Sequence, residues 1–286
     1  VLLGLTDSDT RQASLQALPP ETAVAIVTDR TPPVGIAASP KALPLVAAAH
    51  LPNDPANPGP SRLTLAAAST PWPAEVEITN DDSGNLLATL TGRGSLGVLA
   101  SPLGPGPVAV WDDASRVTLT LYWGHLASAD DTAVLGGSNR LAVETDSGEW
   151  EIIGFANATL TAPSTYLLTH LLRGQGGTVH AVGSAAAGNS VMLLDRAAAD
   201  VPVVSDWLGA ALDLRAYAGR TDAVGAASTA TIDLAPALPL APVHLATTRD
   251  AATGDVALSW VRCSRSDTDS WNTTDAPLEF SPEAYD

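Results

Sequence analysis

The sequence predicts a mainly β architecture of several small antiparallel barrels or sandwiches, and three observations carry that prediction. Twenty-three Gly and 22 Pro are spread among short runs of Val, Leu, Ile and Thr, so a helical period is interrupted before it reaches three turns. Several of these runs alternate apolar and polar residues with a period of two, the pattern of a half-buried strand. Between them stand clusters such as Asn80-Asp-Asp-Ser-Gly84 and Asp146-Ser-Gly148, which supply the acceptor side chains and the permissive Gly of a hairpin loop.

From the amino terminus, residues 8–18 form a short helical alternative with Leu15 and Leu18 on one side. Glu21 to Thr28 and Val34 to Ala38 are strand candidates separated by Pro32-Pro33. The stretch Leu51 to Pro60 carries Pro52, Pro55, Pro58 and Pro60 among Asn53, Asp54 and Asn57. That composition holds no ladder, so a β-rich segment over 1–60 is expected to end there and a second region, 61–235, to begin.

In the second region, Arg62 to Ala67, Ala74 to Thr79 and Asn85 to Thr91 follow at short intervals as strand, strand and strand. After the Pro/Gly-rich stretch Ser101 to Pro107, the run Arg116-Val-Thr-Leu-Thr-Leu-Tyr-Trp123 puts Val117, Leu119, Leu121 and Trp123 on one face. Leu141 to Thr145 and Glu149 to Phe155 flank the turn at Asp146-Ser-Gly148. The stretch from Trp150 to Phe155, continued by Leu171-Leu-Arg-Gly-Gln-Gly-Gly-Thr178 and by Val191-Met-Leu-Leu194, has the grammar of a β-hairpin scaffold. A third region, 236–286, opens with Pro236-Ala-Leu-Pro-Leu-Ala-Pro242. There Val243 to Thr247, a turn at Thr253-Gly254 and Asp255 to Trp260 look like the opening strands of a fibronectin type III sandwich. Such a domain takes about a hundred residues, so only its start is expected here.

The formal net charge is -17, from 14 basic and 31 acidic residues, and Lys41 is the single lysine. Without clustered positive charge, sequence-specific nucleic-acid binding is not expected. No apolar run approaches the roughly 20 residues of a membrane-spanning helix, and the amino terminus lacks a basic segment followed by an apolar one. A soluble chain with no transmembrane segment is therefore expected. Val1 in place of Met, and an end at Asp286, read as part of a longer polypeptide.

Chemistry is sparse. A lone Cys263 excludes an internal disulfide and a multi-Cys zinc site. The five His, at 50, 125, 170, 180 and 244, have no metal-ligand spacing. Asp112-Asp113 and Asp130-Asp131 read as turn or loop carboxylates, since strand neighbours point to opposite faces. No Gly-x-Ser-x-Gly elbow is present. No catalytic residue, cofactor or metal is therefore expected, and the chain reads as a non-enzyme. Gly174-Gln-Gly-Gly-Thr178 lacks the Lys-Ser/Thr ending of a phosphate-binding loop, so a turn is the expectation. Arg173 before it reads as a structural pin, a guanidinium fork bonding backbone carbonyls or a carboxylate across a strand pair. The structural residues expected at this place are Trp150, Arg173, Gly174, Gly177 and Thr178. Seven Trp, at 72, 111, 123, 150, 207, 260 and 271, offer core packing or, if exposed, stacking faces for sugars.

Taken together, Trp150-Glu-Ile-Ile-Gly-Phe-Ala-Asn-Ala-Thr-Leu160, Tyr166-Leu-Leu-Thr-His-Leu-Leu-Arg-Gly-Gln-Gly-Gly-Thr178, His180, Gly188 and Val191-Met-Leu-Leu194 resemble the carboxy-terminal part of the tail-tip, or baseplate, hub protein of gene transfer agents and related siphophages. Asp255-Val-Ala-Leu-Ser-Trp-Val-Arg-Cys-Ser-Arg265 with Asp269-Ser-Trp271 looks like that family's entry into its fibronectin-like region. Cys263 departs from the consecutive arginines the family tends to show there. The resemblance covers about 61–285. It implies a virion or gene-transfer-agent component at the tail tip, assembled in the host cytoplasm. It further implies a homotrimer that closes the tail tube, contacts the distal tail and other tail-tip proteins, and supports host attachment and DNA ejection. A carbohydrate- or receptor-binding module that meets a host cell-surface component is the alternative. An acidic surface facing the tube would keep passing DNA from sticking, by like-charge repulsion.

Overall fold

The computed structural model describes residues 2–6, 12–15, 42–53 and 61–264. The chain divides into two compact units, 1–40 and 41–286. In the first, β1 (Leu2–Thr6) and β2 (Gln12–Leu15) pair antiparallel. The helix expected over 8–18 is thus corrected: its central residues take the ladder that Leu2–Thr6 offers, which a helix of barely three turns does not outweigh. The strand candidates at 21–28 and 34–38 lie outside the described residues.

The strands of the second unit are, in order, β3 (Leu45–Pro52), β4 (Ser61–Ala68), β5 (Val76–Asn80), β6 (Leu86–Leu90), β7 (Leu96–Leu99), β8 (Trp111–Asp112), β9 (Val117–Leu121) and β10 (Arg140–Glu144). There follow β11 (Trp150–Ala162), β12 (Thr165–Gln175), β13 (Ser190–Leu193), β14 (Ala199–Pro202), β15 (Ala210–Ala218), β16 (Ala226–Ile232), β17 (Val243–Arg249) and β18 (Val256–Val261). One short helix, α1 (Asp131–Leu135), lies between β9 and β10.

Six of these strands close a barrel in the order β11-β10-β13-β7-β9-β12, the long β11–β12 pair joining its ends. Every pairing in it is antiparallel. Closure removes the exposed edges that an open sheet would present. Period-two alternation fills the interior: Val117, Leu119 and Leu121 from β9, Leu141 and Val143 from β10, and Ile153 and Phe155 from β11 belong to one buried cluster. Trp123, expected on that same face, is half exposed. The strand ends at Leu121, and Gly124 at φ +101 turns the chain away, leaving Trp123 beneath the Arg93 guanidinium at 3.9 Å.

The outer wall of the barrel is apolar where β3 and β4 cover it. Leu96, Ala142, Trp150, Ile152 and Met192 pack with Ala47, Ala49, Leu51, Ala66 and Ala68. The alternate residues of β4, Leu63, Leu65 and Ala67, face the other way, into a cluster with Val76, Ile78, Leu214 and Ala216 of the four-stranded sheet β16-β15-β5-β6. β4, with most of β3, is therefore a middle layer buried on both faces, with small Ala side chains allowing the barrel wall to approach closely.

This layer revises one expected boundary. β3 pairs with β4 from Leu45↔Ala68 to Pro52↔Ser61, so the proline-rich stretch connects two neighbouring strands and does not separate domains. Pro52, expected to hold no ladder, is itself the last residue of β3, opposite Ser61. At the carboxy end, β17 and β18 form the expected antiparallel pair, exposed along its length. Asp269-Ser-Trp271 lies outside the described residues.

The middle layer also buries a histidine. His50 on β3 places Nε2 2.9 Å from Ser61 Oγ, while Nδ1 has no hydrogen-bond partner among the described residues. Burial pushes its pKa down to about 4; the charge of Asp233 pulls upward and that of His180 further down. A histidine whose folded pKa is depressed contributes stability that is present above its unfolded value, near 6.5, and lost as pH falls toward 4. Between those limits the loss amounts to about 3 kcal/mol. Urea unfolding at pH 7 and pH 4 is expected to show this extra acid sensitivity in the native chain and not in His50→Gln. Equal acid sensitivity in both would remove His50 as its source.

Candidate functional site

The residues singled out around the Arg-Gly-Gln-Gly-Gly-Thr turn lie at the end of the β11–β12 pair where Ile152 is opposite Gln175. Glu151 and Arg173 face each other from these two strands, both fully buried. Arg173 Nε donates to Glu151 Oε1 at 2.6 Å, and Nη2 donates to Oε2 at 2.7 Å, a two-pronged ion pair. Gly174 N donates to the same Oε1 at 3.1 Å. The carboxylate thus collects three donors, which offsets much of the desolvation a buried charge suffers.

The third nitrogen of the fork reaches across the Pro/Gly-rich loop. Arg173 Nη1 donates to Gly104 O at 3.1 Å and lies 3.7 Å from Asp112 Oδ2. Asp112 Oδ1 accepts from Ala114 N and Ser115 N, whereas Oδ2 has no hydrogen bond. Burial disfavours the Asp112 anion, but hydrogen bonds from Ser115 and Ala114, with the Arg173 charge, outweigh this and hold its carboxyl below the usual range. Gly106 is required where the loop passes: a Cβ there would lie 2.5 Å from Asp112 Oδ2 and 2.6 Å from Arg173 Nη1. One guanidinium therefore ties β11, β12, β8 and the loop before β8 into one block.

The turn itself closes the block. Gly174, Gly176 and Gly177 all have left-handed φ, at +63, +61 and +83, a region costly for residues with a Cβ. Thr178 Oγ1 accepts from Ile152 N at 2.9 Å and donates to Gln175 O at 2.7 Å. It thereby replaces a ladder bond where the β11–β12 register shifts between Ile152 and Gly154. Trp150, on the outer face of the same strand as Glu151, packs into the cluster under the middle layer. The turn does not join two paired strands. β12 pairs with β11, β9 and β8, and β13 lies between β10 and β7, because barrel closure gives β12 other partners.

Beside this block sits a second cluster that the sequence does not announce. Trp111 of β8 stacks on His170 of β12 with ring centroids 4.1 Å apart and planes 7° from parallel. His170 Nδ1 lies 2.5 Å from Asp113 Oδ1, and Nε2 lies 3.4 Å from Asp131 Oδ1. The two expected carboxylate pairs divide accordingly. Asp112 is buried under Arg173 while Asp113 is exposed beside His170, and Asp130 caps α1 by accepting from Ala133 N at 2.8 Å. Asp112 thus departs from a plain turn role. Among the described residues, no group of three or more His, Cys, Asp and Glu is arranged to hold a metal ion, and no helix is long and apolar enough to cross a membrane.

Glu151 is the residue that sequence reasoning missed, and its signal was a lone carboxylate inside the apolar strand Trp150-Glu-Ile-Ile. Trp72 and Trp207 pack against the four-stranded sheet, while Trp123 and Trp260 are exposed. Trp271 lies outside the described residues. No match was found among curated proteins. Residues 94–192 match the family described as Rcc01698-like, C-terminal. Since the six barrel strands run from Leu96 to Leu193, it is the closed barrel, with its buried Arg173–Glu151 pair, that is similar to that family.

Proposed function

We propose that this chain is a structural part of the tail tip of a phage-like particle. In this reading it is a hub component of a gene transfer agent or related siphophage that closes the tail tube and supports host attachment and DNA delivery. The observation that carries the reading is the coincidence of the Rcc01698-like match, a family of gene-transfer-agent type, with the complete barrel. A barrel tied internally by a buried ion network suits a part that must hold its shape under load. The net charge of -17 suits a wall past which DNA slides without adhering. The role is non-catalytic, and the working form is a homotrimer in contact with the distal tail and other tail-tip proteins.

A second reading, a glycan- or receptor-binding module, is favoured by one observation. Trp123 is half exposed, and Arg93 on one face holds its indole in place, leaving a flat ring of the kind on which sugars stack. One experiment weighs both readings. Purified particles carrying the native chain are expected to show it at the tail tip with threefold symmetry in a cryo-EM map, and Trp123→Ala particles are expected to adsorb to host cells normally. Absence of the chain from particles would overturn the structural reading. Intact Trp123→Ala particles that no longer adsorb would move the function to the second.

A further inference from the structure

His170 occupies an unusual place in the barrel wall. Tyr166, Leu168 and Leu171 all face the interior, so β12 takes one step of three residues where a regular strand takes two. His170 absorbs that step in the left-handed region at φ +56, a conformation uncommon for a residue with a Cβ. The partner of β12 changes at this point, from β9 at residues 165–168 to β8 at residues 171 and 172. The bulge turns the imidazole outward, against Trp111 of β8, with Asp113 of the β8–β9 connection on one ring nitrogen and Asp131 of α1 on the other.

We propose that His170 is a proton-operated latch, whose imidazolium ties the β8–β9 connection and the start of α1 to β12 and whose neutral form lets the α1 arm go. The chemistry follows from counting donors. An imidazolium donates from both ring nitrogens, whereas a neutral imidazole donates from one and accepts at the other. Two carboxylates can be served only by the charged form. The contact to Asp113, 2.5 Å, is the closer, and that to Asp131, 3.4 Å, is the one given up. The Trp111 face also favours a cation stacked on it.

The groups facing His170 come from every neighbouring element. Asp113 follows β8. Asp130 and Asp131 begin α1 and line a shallow depression with His170, to which β11 contributes only uncharged Ala156 and Asn157. The hydrogen bond to Asp113 raises the His170 pKa, burial opposes this, and Asp131 adds to the rise. With a folded value above the unfolded 6.5, the latch is fully set below pH 6.5 and is lost as pH rises through the folded value. Deprotonation also leaves the carboxylates of Asp113 and Asp131 around a neutral ring. What remains to hold the α1 arm is Val134, buried against Ala156 and Leu172, the bond from Ala129 N to Ala156 O at 2.8 Å, and the bonds of Ser128 and Asn139 to β11 at its two ends. The opening is accordingly local, and it widens the depression beside β11. This latch stands whether or not the chain belongs to a tail tip.

Amide hydrogen exchange on the full chain, corrected for the intrinsic effect of pH, tests it. Between pH 6 and pH 9, protection of residues 129–137 is expected to fall about two- to fivefold, the scale of a largely exposed ion pair, while β15 and β16 do not change. His170→Gln, which keeps one hydrogen-bonding amide, is expected to show the low protection at both pH values. Asp131→Asn leaves the Asp113 contact and the bulge intact, and the His170 titration followed by NMR is expected to shift downward in it. Unchanged protection in the native chain, a pH response that persists in His170→Gln, or an unmoved His170 titration in Asp131→Asn would each overturn the latch. Should His170→Gln fail to fold, the Asp131→Asn titration decides alone.

Discussion

Replacing Arg173 with Leu is expected to destabilise the chain by about 3–5 kcal/mol, the cost of removing one partner from a buried ion pair. The magnitude arises from what stays behind. Glu151 is fully buried, and without the guanidinium it keeps only the Gly174 amide at 3.1 Å as a donor. Asp112, also buried, loses the positive charge 3.7 Å away. Arg173→Lys is expected to recover little, because one ammonium cannot span both Glu151 oxygens and Gly104 O in the geometry of the fork. The double variant Arg173→Leu with Glu151→Leu removes the stranded charge, and it is expected to lie well above the single variant in stability. Urea unfolding of the four chains measures these differences. If Arg173→Leu unfolds within about 1 kcal/mol of the native chain, the network is not what holds the loop before β8 to the barrel.

The sequence made this pin partly legible. Arg173 stands before three Gly and a Thr, a string no regular strand or helix accommodates, and a side chain that long at a turn needs partners. Its partner was less visible, because Glu151 lies 22 residues earlier in a strand whose other residues are apolar. Only the antiparallel register of β11 and β12 brings the two side chains together. The alternation in β9 was equally readable at Val117, Leu119 and Leu121, and it failed at Trp123 for a reason that alternation does not encode: the strand had ended.

Of the middle layer, β4 was legible as the run Arg62 to Ala67 but β3 was not, and the physical reason is the double burial of β3. β3 reads Leu-Val-Ala-Ala-Ala-His-Leu-Pro, and a strand covered on both faces has no polar side to produce a period of two. Pro52 at its end, with Pro55, Pro58 and Pro60 following, reads as a boundary. Barrel closure is also hidden, since β7 pairs with β9 and β13, and β13 with β10, across long separations in the chain. The His170 cluster has the same origin. Residues 111 and 113, 131, and 170 come from three separate segments, and each alone has an ordinary reading as a core aromatic, a turn or loop carboxylate or a satisfied histidine.

Barrel closure leads to the second large effect, expected from Gly97→Ala. The β7–β9 seam holds only three register pairs, Gly97↔Leu121, Val98↔Thr120 and Leu99↔Leu119. A Cβ at Gly97 would lie 2.2 Å from Thr120 O and 2.9 Å from Leu121 Cα. These are backbone atoms of the partner strand, so no rotamer relieves the contact, and the two strands must separate at one of the barrel's three-pair ladders. The expected cost is about 3 kcal/mol, the upper part of the range for overpacking a close-packed interior. Gly84→Ala makes the same chemical change at φ +69 with nothing within 4 Å, and it is expected to cost about 1 kcal/mol, for the backbone alone. Thermal unfolding ranks the two variants, and hydrogen exchange locates the damage: β7 and β9 amides lose protection in Gly97→Ala, while β15 and β16 keep theirs. A Gly97→Ala chain as stable as Gly84→Ala would mean that the seam has slack and that closure rests on the β11–β12 pair.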